Sequence, residues 1–298
     1  MDDESTGRLQ ANQDGGRRGE RKSERGSQDR DGQGERKSER GSQGRGSQGE
    51  RKGRPYNTRE LERFVFGVRQ LGLELNEQEL EQFLRYREEL LEWNTRINLT
   101  AITDPAEVLL KHFLDSLSLL LVCDRPAARL LDIGAGAGFP GLPLKIVRPQ
   151  WQVLLLEATG KKVTFMRHMV EALQLRDVIA LHGRAEELGR DAGCRASFDV
   201  VTARAVASLP TLLEYAAPFC RVGGQLILPR KGDLVEELAQ AKWAAGRVGA
   251  VLKDDVPVTL EGLEDGRRLL VWEQVKECPA QFPRSGAVIA KRPLGKKE

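Results

Sequence analysis

The sequence is poor in the residues that build metal centres, disulfide frameworks and membrane spans. Its 298 residues contain four Cys and three His, with no Cys-x-x-Cys pair and no zinc-ligand spacing, so we expect no bound metal. Scattered cysteines in apolar surroundings are typical of a reducing compartment. No apolar run approaches the roughly 20 residues of a membrane span, and the polar N-terminus has no signal-peptide core. These absences predict a soluble cytoplasmic protein without membrane association.

Residues 55–298 also lack a net positive charge. Residues 1–54 carry 14 Lys/Arg and 11 Asp/Glu, which leaves 33 residues of each sign in residues 55–298. The net charge of +3 therefore comes entirely from the first segment. Any binding of nucleic acid by residues 55–298 has to come from a local basic patch.

Residues 1–54 form a low-complexity segment of Gly, Ser, Gln, Arg, Glu and Asp. Residues 19–28 recur at 34–43, but stacked repeats need apolar faces and these have none. Low hydrophobicity with mixed charge predicts a disordered tail. Two interpretations stay open: a solvated extension without an essential role, or an arm that adds weak, salt-sensitive affinity for RNA.

Residues 55–126 have the periodicity of a helical region. Apolar residues recur at three- and four-residue spacing, which predicts helices from about residue 58, over about 77–94 and over about 105–122. Asp104 followed by Pro105 is typical of the start of the third helix. We therefore expect an N-terminal helical cap over residues 55–126.

From residue 127 onwards, apolar runs alternate with helical patterns. The predicted strands cover 129–133, 152–157, 178–181, 198–202, 224–228 and 267–275, and the predicted helices lie near 142–147, 161–173, 185–189, 209–219 and 234–248. This alternation predicts an α/β fold with a mostly parallel sheet in residues 127–298. The last strand follows turn-rich sequence instead of a helix, so we expect it to be antiparallel. The basic segment 283–297 is expected to be irregular.

The most informative segment is the glycine-rich run after the first predicted strand. Gly134, Gly136 and Gly138 alternate behind an apolar run that contains Asp132. Such a run predicts a tight turn whose backbone approaches a ligand closely, because side chains there would block the approach. Glu157 follows about 20 residues later, at the end of the second predicted strand, where an acid binds ribose hydroxyls.

This pattern fits both NAD and S-adenosylmethionine, and three details favour the second. Asp132 suits a cationic methionine better than a dianionic pyrophosphate. Pro140 and Pro143 remove amide donors that a pyrophosphate-binding helix would present. No other region of the sequence suggests a nicotinamide pocket. We therefore expect S-adenosylmethionine as the cofactor.

Seven motifs stand in a fixed order along residues 57–295. They are NTRINLT at 94–100, HFLDSL at 112–117, the glycine segment 132–144, ATGKK at 158–162, GRAEE at 183–187, VTARA at 201–205 and AKRPL at 290–294. Together they resemble the small-subunit (16S) ribosomal RNA methyltransferase G family, also called glucose-inhibited division protein B. The resemblance implies a Rossmann-like class I methyltransferase fold and methyl transfer from S-adenosylmethionine to nitrogen 7 of one guanine in 16S rRNA.

The resemblance also implies cofactor contacts, which add to the residues derived above. The expected cofactor-binding set is Gly134, Gly136, Gly138, Phe139, Glu157, Ala185, Glu186 and Arg204. Glu157 stands where other members often have Asp, and Ala135 stands where Ser or Thr is frequent. The first change keeps the charge and the second loses one hydroxyl, so neither alters the assignment.

Methylation at nitrogen 7 of guanine needs no acid or base residue. That nitrogen carries a free lone pair, so the protein has to supply positioning and electrostatics only. The sequence agrees, because no Asn/Asp-Pro-Pro-aromatic motif and no Pro-Cys nucleophile follows the fourth predicted strand. The candidates on the substrate side are Asn98, His112, Asp115 and Arg204.

Each of these candidates has a structural alternative. Arg204 is either a contact to the methionine carboxylate or target nucleotide, or part of an ion pair. His112 and Asp115 either shape the guanine site or are a satisfied buried histidine and its local partner. Trp93 either stacks on a base or, as we favour, packs in the core.

Basic residues near the expected cleft predict a local patch for RNA phosphates. The nine candidates are Lys145, Arg148, Lys161, Lys162, Arg230, Lys231, Arg284, Lys291 and Arg292. We expect the partner to be 16S rRNA or the small ribosomal subunit, not DNA, and the protein to be a monomer. Two other function classes stay open: a methyltransferase for a small molecule or protein, and a catalytically silent RNA-binding assembly factor.

Overall fold

Seven strands form one twisted sheet in the part of the chain that a computed structural model describes, residues 58–204 and 207–295. The strands are β1 (Arg129–Ile133), β2 (Gln152–Glu157), β3 (Val178–His182), β4 (Phe198–Ala203), β5 (Cys220–Lys231), β6 (Ala250–Pro257) and β7 (Arg267–Gln274). Their order is β3-β2-β1-β4-β5-β7-β6. The first five run parallel, and β7 runs antiparallel to both of its neighbours. The prediction of a mostly parallel sheet with an antiparallel last strand is confirmed.

The central strands are buried because helices cover both faces of the sheet. β1 pairs with β2 on one side and β4 on the other, so that Leu131 lies opposite both Leu154 and Val201. The strand order reverses at β1, between β2 and β4. In open parallel sheets, ligands bind at such a reversal, beyond the carboxyl ends of the strands.

Helices precede the sheet and connect its strands. The first two are α1 (Thr58–Gln70) and α2 (Glu77–Asn94). The third, α3, covers 105–121 in four pieces: Pro105–Val108, a π-helical stretch Leu109–Leu114, Asp115–Leu117 and a 3₁₀ turn Ser118–Leu121. The remaining helices are α4 (Gly141–Val147), α5 (Gly160–Ala172), α6 (Ala185–Leu188), α7 (Leu209–Ala216), α8 (Val235–Val248) and α9 (Gly286–Lys291).

The starts of α2 and α3 follow from their capping residues. Asn76 and Glu79 form a reciprocal capping box at the start of α2, with both hydrogen bonds at 2.9 Å. The Asp104 carboxylate accepts from the amides of Ala106 and Glu107, as its place before Pro105 predicts. The π-helical stretch in α3 has no sequence signal, because its broad apolar face suits either kind of helix.

Two expectations for the C-terminal part are wrong. The sequence missed β6, an edge strand in which only Ala250 is buried and whose alternation is broken by a bulge between Leu252 and Asp254. Segment 283–297 was expected to be irregular, but residues 286–291 form α9, anchored by the buried side chain of Ile289. Tertiary contacts outweigh local sequence in both places.

The aromatic core links α1, α2 and α3 to the sheet. Edge-on and tilted ring contacts join Phe64, Phe83 and Phe113, and Tyr86 continues the cluster to Phe139 beside the carboxyl end of β1. Residues 1–54 lie outside the described part, and the domain boundaries at 54 and 126 stay predictions.

Two arginines and a buried glutamate join the C-terminal segment to the loop before β4 and to α7. Arg195 donates to the carbonyls of Cys278 and Phe282 at 2.8 and 2.6 Å. The fully buried carboxylate of Glu214 accepts from the backbone amide, Nε and Nη2 of Arg284 at 3.0, 2.7 and 2.6 Å. A buried carboxylate is tolerated only with such a complete set of donors.

We expect Arg284→Ala to destabilise the fold, because it leaves the Glu214 carboxylate buried without its cation. Breaking a buried ion pair in this way costs roughly 3–5 kcal/mol, and because the Arg284 side chain is 25% exposed we expect the lower end. Denaturant unfolding of the full chain measures the loss. Arg292→Ala, on the exposed end of the same segment, should change stability by less than about 0.5 kcal/mol. Similar losses in the two variants would contradict this account.

Candidate cofactor and substrate cleft

A cleft of about 590 Å³ opens at the carboxyl ends of β1, β2 and β4. Its floor is the glycine turn after β1, and its walls come from the ends of the neighbouring strands, the loop before α3, and α3 itself. The lining residues are Leu99, Thr100, His112, Ile133, Gly134, Ala135, Gly136, Ala137, Phe139, Leu156, Glu157, Ala158, Lys162, Gly183, Arg184, Ala185, Glu186, Arg204, Ala207 and Tyr215. The cleft thus lies at the strand-order reversal.

The backbone of the glycine turn takes conformations that favour glycine. Gly134, Gly136 and Gly138 have φ angles of +67°, +62° and +96°. The amides of Gly134 and Ala135 both donate to the carbonyl of Leu156, at 2.8 and 3.2 Å, so the turn is fastened to the end of β2. Gly134 and Gly136 line the cleft, as expected, whereas Gly138 lies behind it: a Cβ there would stand 2.7 Å from the Tyr86 hydroxyl.

Glu157 joins the end of β2 to the glycine turn. One carboxylate oxygen accepts from the amide of Gly136 at 3.0 Å and the other from the amide of Thr159 at 2.8 Å. Each oxygen has further lone pairs, and the residue lines the cleft. The carboxylate is therefore oriented to accept hydrogen bonds from a ligand.

The sequence suggested that Asp132 lies beside the methionine part of the cofactor, but its side chain lies elsewhere. Its side chain is fully buried below the turn, where one oxygen accepts from the amide of Gly141 at 2.9 Å and the other has no partner. Burial raises the pKa of Asp132 to about 7. Asp132 fastens the start of α4 and does not line the cleft.

Three side chains form a stack at the substrate end of the cleft. The rings of His112 and Phe139 are parallel within 13°, with centroids 4.6 Å apart, and the guanidinium carbon of Arg204 lies 5.3 Å from the Phe139 centroid. All three line the cleft. The stack leaves only 8% of His112 and 4% of Phe139 exposed, so the cleft meets small parts of two aromatic rings beside one cation.

His112 is held as a neutral ring. Burial and the nearby Arg204 lower its pKa from 6.5 to about 3. Its Nδ1 lies 3.5 Å from Arg204 Nη2, and its Nε2 lies 2.7 Å from Thr100 Oγ1. Because a guanidinium cannot accept a hydrogen bond, we assign the ring proton to Nε2, which donates to Thr100.

Asp115 is not a lining residue but holds Arg204 from behind. Its Oδ2 accepts from Arg204 Nη1 at 2.7 Å, and its Oδ1 pairs with Arg267, whose Nε and Nη2 also bind Asp265 at 2.7 and 2.6 Å. Lys231 completes this chain of charges by pairing with Asp265. Asp115 therefore acts on the cleft through Arg204.

Asn98 and Trp93 do not line the cleft. Asn98 is exposed in the loop before α3, and it is Asn94 that orders this loop, accepting from the amides of Leu99 and Thr100 at 2.8 and 3.0 Å. Trp93 packs edge-on against Phe165, with centroids 5.6 Å apart, as the core alternative expects.

Two residues of the expected cofactor-binding set, Ala185 and Glu186, lie together on one wall of the cleft. Ala185 and Glu186 begin α6, and Tyr215 of α7 lines the same wall. The motif at 183–187 marks the first two. Sequence reasoning missed Tyr215, because an isolated residue in a helix carries no pattern. It also missed Leu99 and Thr100 on the opposite wall, because it chose Asn98 from the motif at 94–100 that contains them.

The predicted basic patch is wrong at three positions. Lys145 is buried and donates to the carbonyls of Pro149 and Trp151, Arg230 donates to the carbonyl of Ala207, and Arg284 binds Glu214. Exposed cations remain at Lys161 beside the cleft and at Lys291 and Arg292 of the C-terminal segment, and Lys162 and Arg184 line the cleft.

Residues 58–204 and 207–295 hold neither a cluster of metal ligands nor a membrane-spanning helix. This part holds no group of three or more His, Cys, Asp or Glu side chains that gather as metal ligands. None of its helices is long and apolar enough to cross a membrane.

The strand order and the cleft at its reversal are those of the Rossmann-like class I methyltransferase fold. The family model described as rRNA small subunit methyltransferase G matches residues 79–261. Among relatives named ribosomal RNA small subunit methyltransferase G, the one from Roseiflexus sp. (strain RS-1) is 50% identical over 227 residues, covering 76% of this chain and 97% of its own. Another, from Dehalococcoides mccartyi (strain CBDB1), is 45% identical over 234 residues, covering 78% of this chain and 100% of its own.

The chain belongs to the rRNA small subunit methyltransferase G family. It is therefore an enzyme, and it methylates RNA of the small ribosomal subunit. The catalytically silent alternative and the small-molecule alternative are set aside by this membership.

We expect the ring of His112 to remain neutral throughout the physiological pH range. Because its pKa lies near 3, NMR of the ¹⁵N-labelled chain should show an Nε2-protonated ring with no titration between about pH 5 and 8, whereas the ring titrates near 6.5 once unfolded in urea. Arg204→Met should raise the pKa of His112, because it removes the nearby positive charge, while burial keeps the value below 6.5. A folded-state midpoint near 6.5 in the wild-type chain would contradict the assignment.

Proposed function

We propose that the cleft binds S-adenosylmethionine and directs its methyl group to nitrogen 7 of a guanine in 16S rRNA. The main support for cofactor binding is the position of Glu157. Its carboxylate is oriented by two backbone amides of the turn and the β2 end, and it retains acceptor capacity on the cleft side. An acid at the end of the second strand is where ribose hydroxyls are bound in this kind of fold.

The remaining cofactor contacts follow from the lining of the cleft. The backbone at Gly134 and Gly136 would face the methionine part, and Ala185 with Glu186 would face the adenine. Phe139 supplies an apolar surface next to Arg204, which would bind the methionine carboxylate or the target nucleotide. When bound, S-adenosylmethionine supplies a methyl group activated by a positively charged sulfur.

Transfer to nitrogen 7 agrees with the ionisable groups of the cleft. Both nitrogens of His112 face protein partners, and the two lining carboxylates, Glu157 and Glu186, lie on the cofactor side. Among the lining residues that the structure describes, no carboxylate and no free imidazole nitrogen faces the substrate side to remove a proton, and nitrogen 7 of guanine has none to lose. The protein has to orient the base and stabilise charge, which the stack of His112, Phe139 and Arg204 is suited to do.

The proposal extends to the cellular setting. The expected partner is 16S rRNA, free or within the small ribosomal subunit, and not DNA. We propose a monomer that acts in the cytoplasm, where small subunits are assembled.

The decisive experiment supplies methyl-labelled S-adenosylmethionine with either naked 16S rRNA or small subunits that lack the modification. Borohydride reduction and aniline cleavage then locate any 7-methylguanine as a strand break. Incorporation at one guanine is expected in at least one of the two substrates. Label on another atom or another base would overturn the nitrogen-7 assignment.

Glu157→Gln should weaken binding of S-adenosylmethionine by about tenfold or more, because hydrogen bonds to a charged acceptor are worth about 1.5–3 kcal/mol each. Isothermal calorimetry on the full chain measures the change. Glu187→Gln is the matched control, since this exposed residue follows Glu186 and does not line the cleft. Equal affinity in Glu157→Gln and the wild type would overturn the role of Glu157.

The two lysines at the start of α5, exposed Lys161 and half-buried Lys162, should contribute to RNA binding. Lys161→Glu/Lys162→Glu is expected to weaken rRNA binding, most clearly at low salt. Because Lys162 also lines the cofactor cleft, Lys161→Glu alone is the variant that should leave the affinity for S-adenosylmethionine within about twofold. Lys253→Glu/Lys276→Glu makes the same change in charge as the double variant, near the opposite edge of the sheet. Filter binding at two salt concentrations compares the variants. A loss of the same size in both would mean that net charge, and not this position, governs binding.

A further inference from the structure

Tyr86 is fully buried in α2 and does not line the cleft, yet it contacts the glycine turn in two ways. Its hydroxyl donates to the carbonyl of Ala137 at 2.5 Å, and its ring stacks on that of Phe139, with centroids 5.4 Å apart and planes within 18°. Ala137 and Phe139 both line the cleft. Tyr86 therefore reaches the ligand surface from behind.

The carbonyl of Ala137 depends on this hydroxyl because its usual helical donor is committed elsewhere. In a helix, the carbonyl of residue 137 accepts from the amide of residue 141 or residue 140. Here the Gly141 amide donates to Asp132 instead, and Pro140 has no amide hydrogen. A buried carbonyl without a donor is costly, so a side-chain donor is needed at this point. Burial also raises the pKa of Tyr86 well above 10, which keeps the phenol protonated as a donor.

The same hydroxyl is one of two groups that leave no room for a side chain at position 138. A Cβ on Gly138 would lie 2.7 Å from the Tyr86 oxygen and still nearer to Cδ1 of Leu142, closer than such contacts allow, and φ there is +96°. The glycine turn and Tyr86 are therefore complementary. The absence of a side chain at Gly138 leaves room for the phenol, and the phenol hydroxyl binds the carbonyl of Ala137.

We propose that Tyr86 is a positioning residue for S-adenosylmethionine, which fixes the backbone at residues 136–139 and the ring of Phe139 in the conformation that binds the cofactor. The inference rests on the proposed cofactor site. It makes α2, a helix outside the sheet, part of the cofactor-binding apparatus.

The test is Tyr86→Phe in the full chain, which removes one oxygen and keeps the ring. We expect the affinity for S-adenosylmethionine to fall about tenfold, with KM for the cofactor rising by a similar factor and kcat changing by less than twofold. Amide hydrogen exchange without ligand should speed up at Gly138 and Phe139. These two effects are local to the turn, and general destabilisation would not produce them selectively.

Phe83→Leu is the matched control. Phe83 is also fully buried in α2 and packs in the same aromatic cluster, against Phe64 and Phe113, without contacting the turn. It should lower the melting temperature at least as much as Tyr86→Phe and leave the cofactor affinity within about twofold of the wild type. Unchanged affinity in Tyr86→Phe, or equal losses in both variants, would overturn the inference alone. Failure of the wild-type chain to bind S-adenosylmethionine would overturn the proposed cofactor site and this inference with it.

Discussion

The hydrogen bonds that fasten the glycine turn are the constraint on which the rest of the site depends. A turn with three positive φ angles has no regular hydrogen-bonding pattern of its own, so its backbone groups need partners from outside. β2 supplies the carbonyl of Leu156 and the carboxylate of Glu157, β1 supplies Asp132, and α2 supplies Tyr86. The turn can approach a ligand closely because its glycines carry no side chains, and these neighbouring groups hold its backbone in place.

The charged groups on the two sides of this turn have different partners. On the cofactor side, Glu157 keeps acceptor capacity towards the cleft. On the substrate side, Asp115 lies between two guanidinium groups, so its charge is fully neutralised and Arg204 is held at a fixed height over Phe139. Bidentate and shared arginine contacts of this kind add geometric precision as well as energy. Because burial and the same arginine keep His112 uncharged, the stack presents one positive charge and not two.

The sequence predicted those parts of the site that have local signals. Alternating glycines after an apolar run mark the turn, and Glu157 and Arg204 stand at strand ends that the β-α alternation places on one edge of the sheet. Tyr86, Thr100 and Arg267 were missed, because each meets its partner only after the chain has folded. Lys145 was misassigned for the opposite reason: a lysine reads as a surface charge, yet its ammonium binds two carbonyls inside the fold. Local patterns therefore predicted the ligand-facing groups better than the groups that hold them.

The helices outside the sheet supply side chains that hold the glycine turn and Arg204. A class I sheet with its glycine turn is a general cofactor-binding frame, and by itself it does not select a substrate. Here α2 stiffens the turn through Tyr86, and α3 adds His112 and Asp115 within two successive helical pieces. The π-helical stretch that carries His112 changes the hydrogen-bonding pattern immediately before Asp115, so the ring can stack on Phe139 while the carboxylate reaches Arg204. The helical region thus meets the cleft at Arg204, where His112 and Asp115 both contact its guanidinium.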